Sequence, residues 1–359
     1  MRGRLGARAH AVNATAGAVP ASRSRLPGSM RLRYHARFRN RVPRGRAGLV
    51  RRAGAARQVP AGRSKKPMTL NERTGSLSLD RLGPQDLVEV FGFLDRDPVL
   101  NVYLLALTLR DGLANTRDEF WGVRRDDALI AMLHLGSLSG AALPVGDDPA
   151  ALPLLAEQFV KRRGFLPRRF QVIGPRAAVH ELSGRLEREG VPPRIRRDQI
   201  YMSLAPEQLA PFERVPELRR AGREDYQTLY DSGAALRAEE LEEDPRQADP
   251  AGFARRTEDE SRDGYTHLWT DARGLRFRAS VSALTPDAAQ VSGVYTPPPR
   301  RNQGFARRGL SELCRRLFER SRYMCLFVND FNTPAIAVYR HMGFRDLALW
   351  ASAFYPRPD

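Results

Sequence analysis

Along the chain, apolar positions recur either at helical spacing or in alternation with polar ones, and the two periods interleave in a way that predicts a mixed α/β fold. Leu87 to Leu94 and Val99 to Leu109 carry the helical period. Glu119 to Val123 and Ala128 to Leu135 read as a hairpin of strands around the turn Arg125-Asp126-Asp127. Leu152 to Arg162 reads as a helix and Arg169 to Ile173 as a strand. Ala177 to Glu189 is a helix stopped by Gly190 and the prolines after it, and Ile200 to Leu204 is a strand. Residues 205–213, with two prolines, read as a linker.

The order then starts again. Arg214 to Leu218 is expected as a strand, with helices over Glu224 to Leu241 and Ala251 to Arg262. Tyr265 to Asp271 and Leu275 to Ala283 pair around Ala272-Arg273-Gly274, and the strand Ala289 to Thr296 follows. A Pro-rich turn, a helix, the strand Tyr323 to Val328, a helix over 333–342 and a last strand, Ala348 to Phe354, complete the chain. Both halves run two helices, antiparallel strands, then helix, strand, helix, strand. This is a repeat of pattern rather than of residues. The expected units are 78–204 and 214–359.

Charge changes the picture at one end only. Residues 1–67 hold 18 of the 59 basic residues and no acid, so residues 68–359 carry 41 basic against 41 acidic side chains. The net charge of +18 therefore belongs to one Arg-rich, aperiodic segment. That segment is either a disordered extension or is not translated, with Met68 as the start. The neutral body gives no reason to expect a nucleic-acid partner. No run of apolar residues approaches membrane-spanning length; Val102 to Leu109 is short and flanked by Asn101 and Arg110. Cys314 and Cys325 cannot make a disulfide framework or a zinc site by themselves, and read as small buried hydrophobes in a reducing cytoplasm. No metal is expected.

Candidate chemistry concentrates between Val291 and Arg322. A β-branched strand ends at Thr296, three prolines follow, and Arg301-Asn302-Gln303-Gly304-Phe305-Ala306 opens a helix whose apolar stripe is Leu310, Leu313, Cys314, Leu317 and Phe318. The first N–H groups of a helix lack internal partners and the dipole there favours negative charge. Gly304 lets backbone approach an anion, Ala306 keeps the turn small, and Arg300 and Arg301 add positive charge. A diphosphate is the natural occupant.

Arg-x-x-Gly-x-Ala at 301–306 resembles the pyrophosphate-binding signature of the GNAT acetyltransferase superfamily. Asn332-Thr333-Pro334-Ala335-Ile336-Ala337-Val338-Tyr339-Arg340-His341-Met342-Gly343-Phe344 resembles the superfamily's closing segment. The resemblance covers roughly 214–359. The first half shares only the order of elements: it has no such loop, and Pro144-Val145-Gly146-Asp147-Asp148 before its helix is acidic. The whole resembles tandem acetyltransferases whose N-terminal unit is degenerate.

The resemblance implies acetyl-CoA as co-substrate, bound along a splayed strand at Val294, Tyr295 and Thr296, with Gly293 at a bulge. An N–H near Val294 would polarise the thioester carbonyl, and Tyr339 would donate a proton to the departing thiolate. Read from the residues alone, Tyr339 could equally be a core aromatic at helical spacing. Asn332 is an N-cap, a cofactor contact or both. No general base stands out; Asp330 and the run Glu239, Glu240, Glu242, Glu243, Asp244 are candidates. Trp269 and Trp350 read as core or cleft wall, and His341 as a helix C-terminal residue. The expected activity is direct N-acetylation of a small-molecule or peptide amine. The alternative is a non-catalytic acyl-CoA-binding or scaffold protein. Neither the acceptor nor the oligomeric state is legible.

Overall fold

The computed structural model describes residues 75–356; the Arg-rich segment 1–67 lies outside them. Two runs of elements build it. The first is β1 (Leu77–Leu82), α1 (Leu87–Leu94), α2 (Val102–Asp111), β2 (Asp118–Arg125), β3 (Ala128–Gly136), β4 (Ala141–Val145), α3 (Ala151–Arg162), β5 (Arg169–Pro175), α4 (Arg176–Arg188) and β6 (Ile195–Leu204). The second is β7 (Arg219–Arg220), α5 (Tyr226–Leu241), α6 (Pro245–Ala248), α7 (Pro250–Asp263), β8 (Thr266–Asp271), β9 (Gly274–Leu284), β10 (Ala288–Tyr295), α8 (Phe305–Phe318), β11 (Tyr323–Asn329), α9 (Thr333–Met342) and β12 (Arg345–Pro356). The repeat expected from the hydrophobic pattern is present. Among the described residues no helix is long and apolar enough to cross a membrane.

All twelve strands form one sheet in the order β1-β2-β3-β4-β5-β12-β6-β11-β10-β9-β8-β7. Exchanging each strand of one run for its counterpart in the other reverses this order and leaves it unchanged. The sheet therefore has a pseudo-twofold axis between β12 and β6. At that axis the runs trade their last strands. β6 lies between β11 and β12, pairing antiparallel with both. β12 pairs on its other side with β5, from Trp350–Pro175 to Pro356–Arg169. Thus β6 of the first unit separates the last two strands of the second.

Packing follows the sheet rather than the units. One buried cluster joins α1 and α2 (Val90, Leu94, Leu104, Leu105) to Ala288 of β10, Cys325 and Phe327 of β11 and Trp350 of β12. Tyr201 on β6 sits in it and donates its hydroxyl proton to the Val99 carbonyl at 2.8 Å. Cys314 and Cys325 are buried and unbridged, and burial pushes both thiols up to about 12. They are inert, as read from the sequence.

Three local readings needed correction. β1 and β4 were not expected: β1 is a polar edge strand, and β4 (AALPV) has no β-branched run to announce it. Arg214 to Leu218 is not a strand. Side chains of α8 hold its backbone instead of a ladder. Glu312, buried on α8, accepts from the Val215 N–H at 3.3 Å and from Arg214 at 2.8 Å. Arg316 donates to the Val215 carbonyl and, at 2.5 Å, to that of Leu218. Hydrogen bonds from Arg214 first, then from Arg316 and Val215, outweigh burial and hold the Glu312 carboxyl down to about 2. Only Arg219 and Arg220 join the sheet, against β8.

The exchange predicts that the units cannot be cut apart at the linker. A polypeptide of residues 205–359 lacks β6, so β11 and β12 have no strand between them, and each leaves backbone donors and acceptors unpaired. Thermal melting by circular dichroism should show no cooperative transition for it. The polypeptide starting at residue 75 should melt in one step. A sharp transition for the shorter piece would contradict the topology drawn here.

Candidate active site

β10 and β11 run parallel but pair only over Ala288–Tyr323, Ala289–Met324 and Gln290–Cys325. Beyond Gln290 they part. On its other edge β10 carries a bulge: Ser292 opposes Ser280 and Tyr295 opposes Arg278, so Gly293 and Val294 together face one residue of β9. Gly293 takes φ of +58°, where a side chain would be strained. The result is a strand whose edge toward β11 has no ladder partner from Val291 to Tyr295. Val294, Tyr295 and Thr296 lie there, all buried. The hydroxyls of Ser292 and Thr296 are buried without a hydrogen-bond partner among the described residues. Such groups ask for a ligand or water.

Residues 296–304 turn the chain into α8. Gly304 is the N-cap at φ +78°, and no side chain caps the helix. A Cβ at Gly304 would meet nothing closer than the Arg307 guanidinium at 3.9 Å, so the space before the helix is open. No acid lies in the first turn. Asn302, also at positive φ, and Gln303 are exposed beside it, while Phe305 turns inward edge-on to Trp269 at 5.2 Å. The loop at 301–306 thus leads into a helix start with no side-chain cap.

Its charges are arranged differently from the sequence reading. Arg301 is bound within the protein: both Glu239 carboxylate oxygens accept from it at 2.8 Å, and its Nε–H donates to the Thr296 carbonyl at 3.0 Å. Arg300 is 2.8 Å from Asp271. These two shape the loop more than they charge it. Arg307, in the first turn of α8, has no ion pair among the described residues. Sequence reasoning passed over it because it lies outside the loop signature.

α9 enters the same site. The Asn332 side chain accepts from the Ala335 N–H at 3.1 Å, which is the N-cap expected of it. Tyr339 is 2% exposed and shares one buried cluster with Val294 and Phe305. Burial, reinforced by the negative field of Glu240, raises its phenol well above the ordinary value, so it holds its proton at neutral pH. Phe212 packs 5.8 Å from the ring of His341, which stays at the helix end.

Among the acidic candidates the structure separates one from the rest. Asp330 is half-exposed on the rim. Glu239 holds Arg301, Glu242 holds Arg197, Glu243 holds Arg169 and Arg194, and Asp244 caps α6. Glu240 alone of this run is buried, at 5% exposure, with its field on Tyr339. Buried Arg278 of β9 fixes the helix carrying it: it donates to the Leu229 carbonyl at 3.2 Å and the Ser232 hydroxyl at 2.9 Å on α5, and pairs with Glu260 on α7.

The first unit repeats the framework without the cradle. β4 and β5 pair in parallel over two residues only and then part. The connection to α3 is the shorter 146–150. There the Asp148 carboxylate accepts from the N–H groups of Ala150 and Ala151 at 3.0 and 3.2 Å, with Arg125 at 2.8 Å neutralising it. The helix's anion donors are occupied by its own chain. Counted from each helix start, buried Leu182 stands in α4 where α9 has Tyr339. Among the described residues no group of side chains could hold a metal ion.

Residues 209–344 match the model of the acetyltransferase (GNAT) family, and residues 118–229 match a domain of unknown function. No curated protein matches the chain. Among solved structures, a Drosophila protein aligns at 11% identity with a TM-score of 0.50, over 78% of this chain and 99% of its own. A GCN5-related N-acetyltransferase from Sphaerobacter thermophilus aligns at 17% identity and a TM-score of 0.49, over 81% of this chain and 98% of its own. A tandem GNAT protein from the clavulanic acid biosynthesis pathway aligns at 16% and 0.43, over 79% and 99%. Likeness at such identities speaks to fold alone. Residues 209–344 thus resemble the GNAT acetyltransferase family, and the first unit repeats their order of elements without the phosphate cradle.

Proposed function

We propose that the chain is an N-acetyltransferase that moves the acetyl group of acetyl-CoA directly onto an amine, with both substrates held together at the second unit. One observation carries the reading: an unpaired, bulged strand runs into an uncapped, glycine-led helix, with a buried phenol in the same cluster. The free edge at Val294, Tyr295 and Thr296 suits a pantetheine arm added like a strand. The N–H groups from Asn302 to Ala306 suit the diphosphate, with Arg307 supplying charge that Arg300 and Arg301 do not. Asn332 holds the start of α9 beside them.

In this reading the Val294 N–H donates to the thioester oxygen as charge develops there, which is worth about 3 kcal/mol for one such donor. Glu240 takes the proton that the amine loses on attack. Tyr339 donates its O–H as a hydrogen bond to the departing thiolate, and since burial makes the phenol a weaker acid, the proton released by the amine reaches the thiol from Glu240 through water. The acceptor is a small-molecule or peptide amine.

Gly304→Glu should abolish coenzyme A binding measured by calorimetry, since a carboxylate would then stand where the diphosphate must approach. A Cβ there meets open space but at φ +78° is strained, so melting temperature is measured beside affinity and Gly304→Ala serves as the control that carries the strain without the charge. Unchanged affinity would remove the loop from the site.

Tyr339→Phe should lower kcat by roughly 10²–10⁴-fold, read as thiol release with a panel of amines, while coenzyme A affinity and melting temperature hold. Activity falling in step with melting temperature would make Tyr339 a packing residue. Coenzyme A binding by the wild-type chain without thiol release for any amine would favour a carrier or scaffold instead.

A further inference from the structure

The first unit keeps no cradle of its own, yet it delivers three arginines to one point of the second. α5 ends at Leu241, and its C-cap Glu242 sits at φ +55°, in the left-handed region without being glycine. The carbonyls of a helix's last turn lack internal partners and gather negative charge. Arg194 donates to the Leu241 carbonyl at 2.9 Å, and Arg197 to the Glu240 carbonyl at 3.4 Å. Arg197 also pairs with the Glu242 carboxylate at 2.6 Å. Glu243 pairs with Arg169 and, at 3.4 Å, with Arg194. All three arginines come from the first unit: Arg169 opens β5, Arg194 precedes β6 and Arg197 lies on it.

That same turn of α5 holds the groups that matter on the other side. Glu239 grips Arg301 of the loop before α8, and the negative field of buried Glu240 reaches Tyr339. Arg197 reaches the opposite wall too, its guanidinium 5.4 Å over the ring of Phe331, the residue before the Asn332 cap of α9. One side chain of the exchanged strand thus touches both sides of the mouth.

We infer that Arg194 and Arg197, supported by Arg169, are positioning residues: the first unit acts as a bracket that sets the end of α5, and with it Glu239 and Glu240, against α9. This rests on the acyl-transfer reading for its kinetic consequence and on the geometry alone for its structural one. Exposed ion pairs add little stability individually. The effect belongs in the placement of Glu240, not in whether the chain folds.

The test uses the full chain with Arg194→Ala and Arg197→Ala combined. With a responsive amine, kcat/KM for that amine should fall at least tenfold. Coenzyme A affinity should stay within threefold and melting temperature within a few degrees. Arg194→Lys with Arg197→Lys should recover a substantial part of the loss, since lysine keeps the charge. Hydrogen exchange at 237–243 should quicken in the alanine variant whether or not an amine has been found, which separates failure of the bracket from failure of the acyl-transfer reading. Unchanged exchange there, full turnover in the alanine variant, or a loss that tracks coenzyme A affinity would each overturn the inference.

Discussion

The placement of β6 between β11 and β12 is the constraint on which the rest depends. A strand in mid-sheet is held by two ladders, and here both belong to the second unit. The two cores are therefore joined through backbone, not merely in contact. The same placement closes one flank of β11, so that its divergence from β10 leaves a slot on the other flank. The splay, the bulge at Gly293 and the free edge at Val294 to Thr296 are stable because β11 is anchored from behind by a strand the second unit does not itself encode.

The repeat shows how little separates an anion site from a closed turn. Both units have a parallel pair that parts and a strand that turns into a helix. In one the turn is 296–304, ends on Gly304 and leaves the helix uncapped. In the other it is 146–150, and Asp148 occupies the donors, neutralised by Arg125. A carboxylate on the chain outcompetes a dissolved phosphate for such donors, because it is already tethered at contact distance. That half closes its own turn, and its arginines meet the end of α5.

Local chemistry was readable from residues; long-range placement was not. The span 333–342 emerged as the helix expected, and Asn332 as its cap, because caps and periodicity act over a few residues. The bulge at Gly293 came from the resemblance to the superfamily and not from any local period. The exchange of β6 and β12 joins residues more than a hundred positions apart, and no period records it. Arg301 and Glu239 illustrate the gap: each was singled out by type, but their mutual pairing changes what both can do. Glu240 was one of five acids in a row, and only burial set it apart. Residues 214–218 contain Pro216, which has no N–H to give a ladder, and Glu312 and Arg316 take the hydrogen bonds of their neighbours.

Hydrogen exchange with and without coenzyme A tests most directly whether only one of the two corresponding turns binds the nucleotide. Amides from Gly293 to Arg308 should gain protection on binding, while those from Gly146 to Leu155 stay unchanged, since Asp148 already holds the N–H groups of Ala150 and Ala151 at that helix start. Protection at 146–155, or none at 293–308 under saturating coenzyme A, would contradict it.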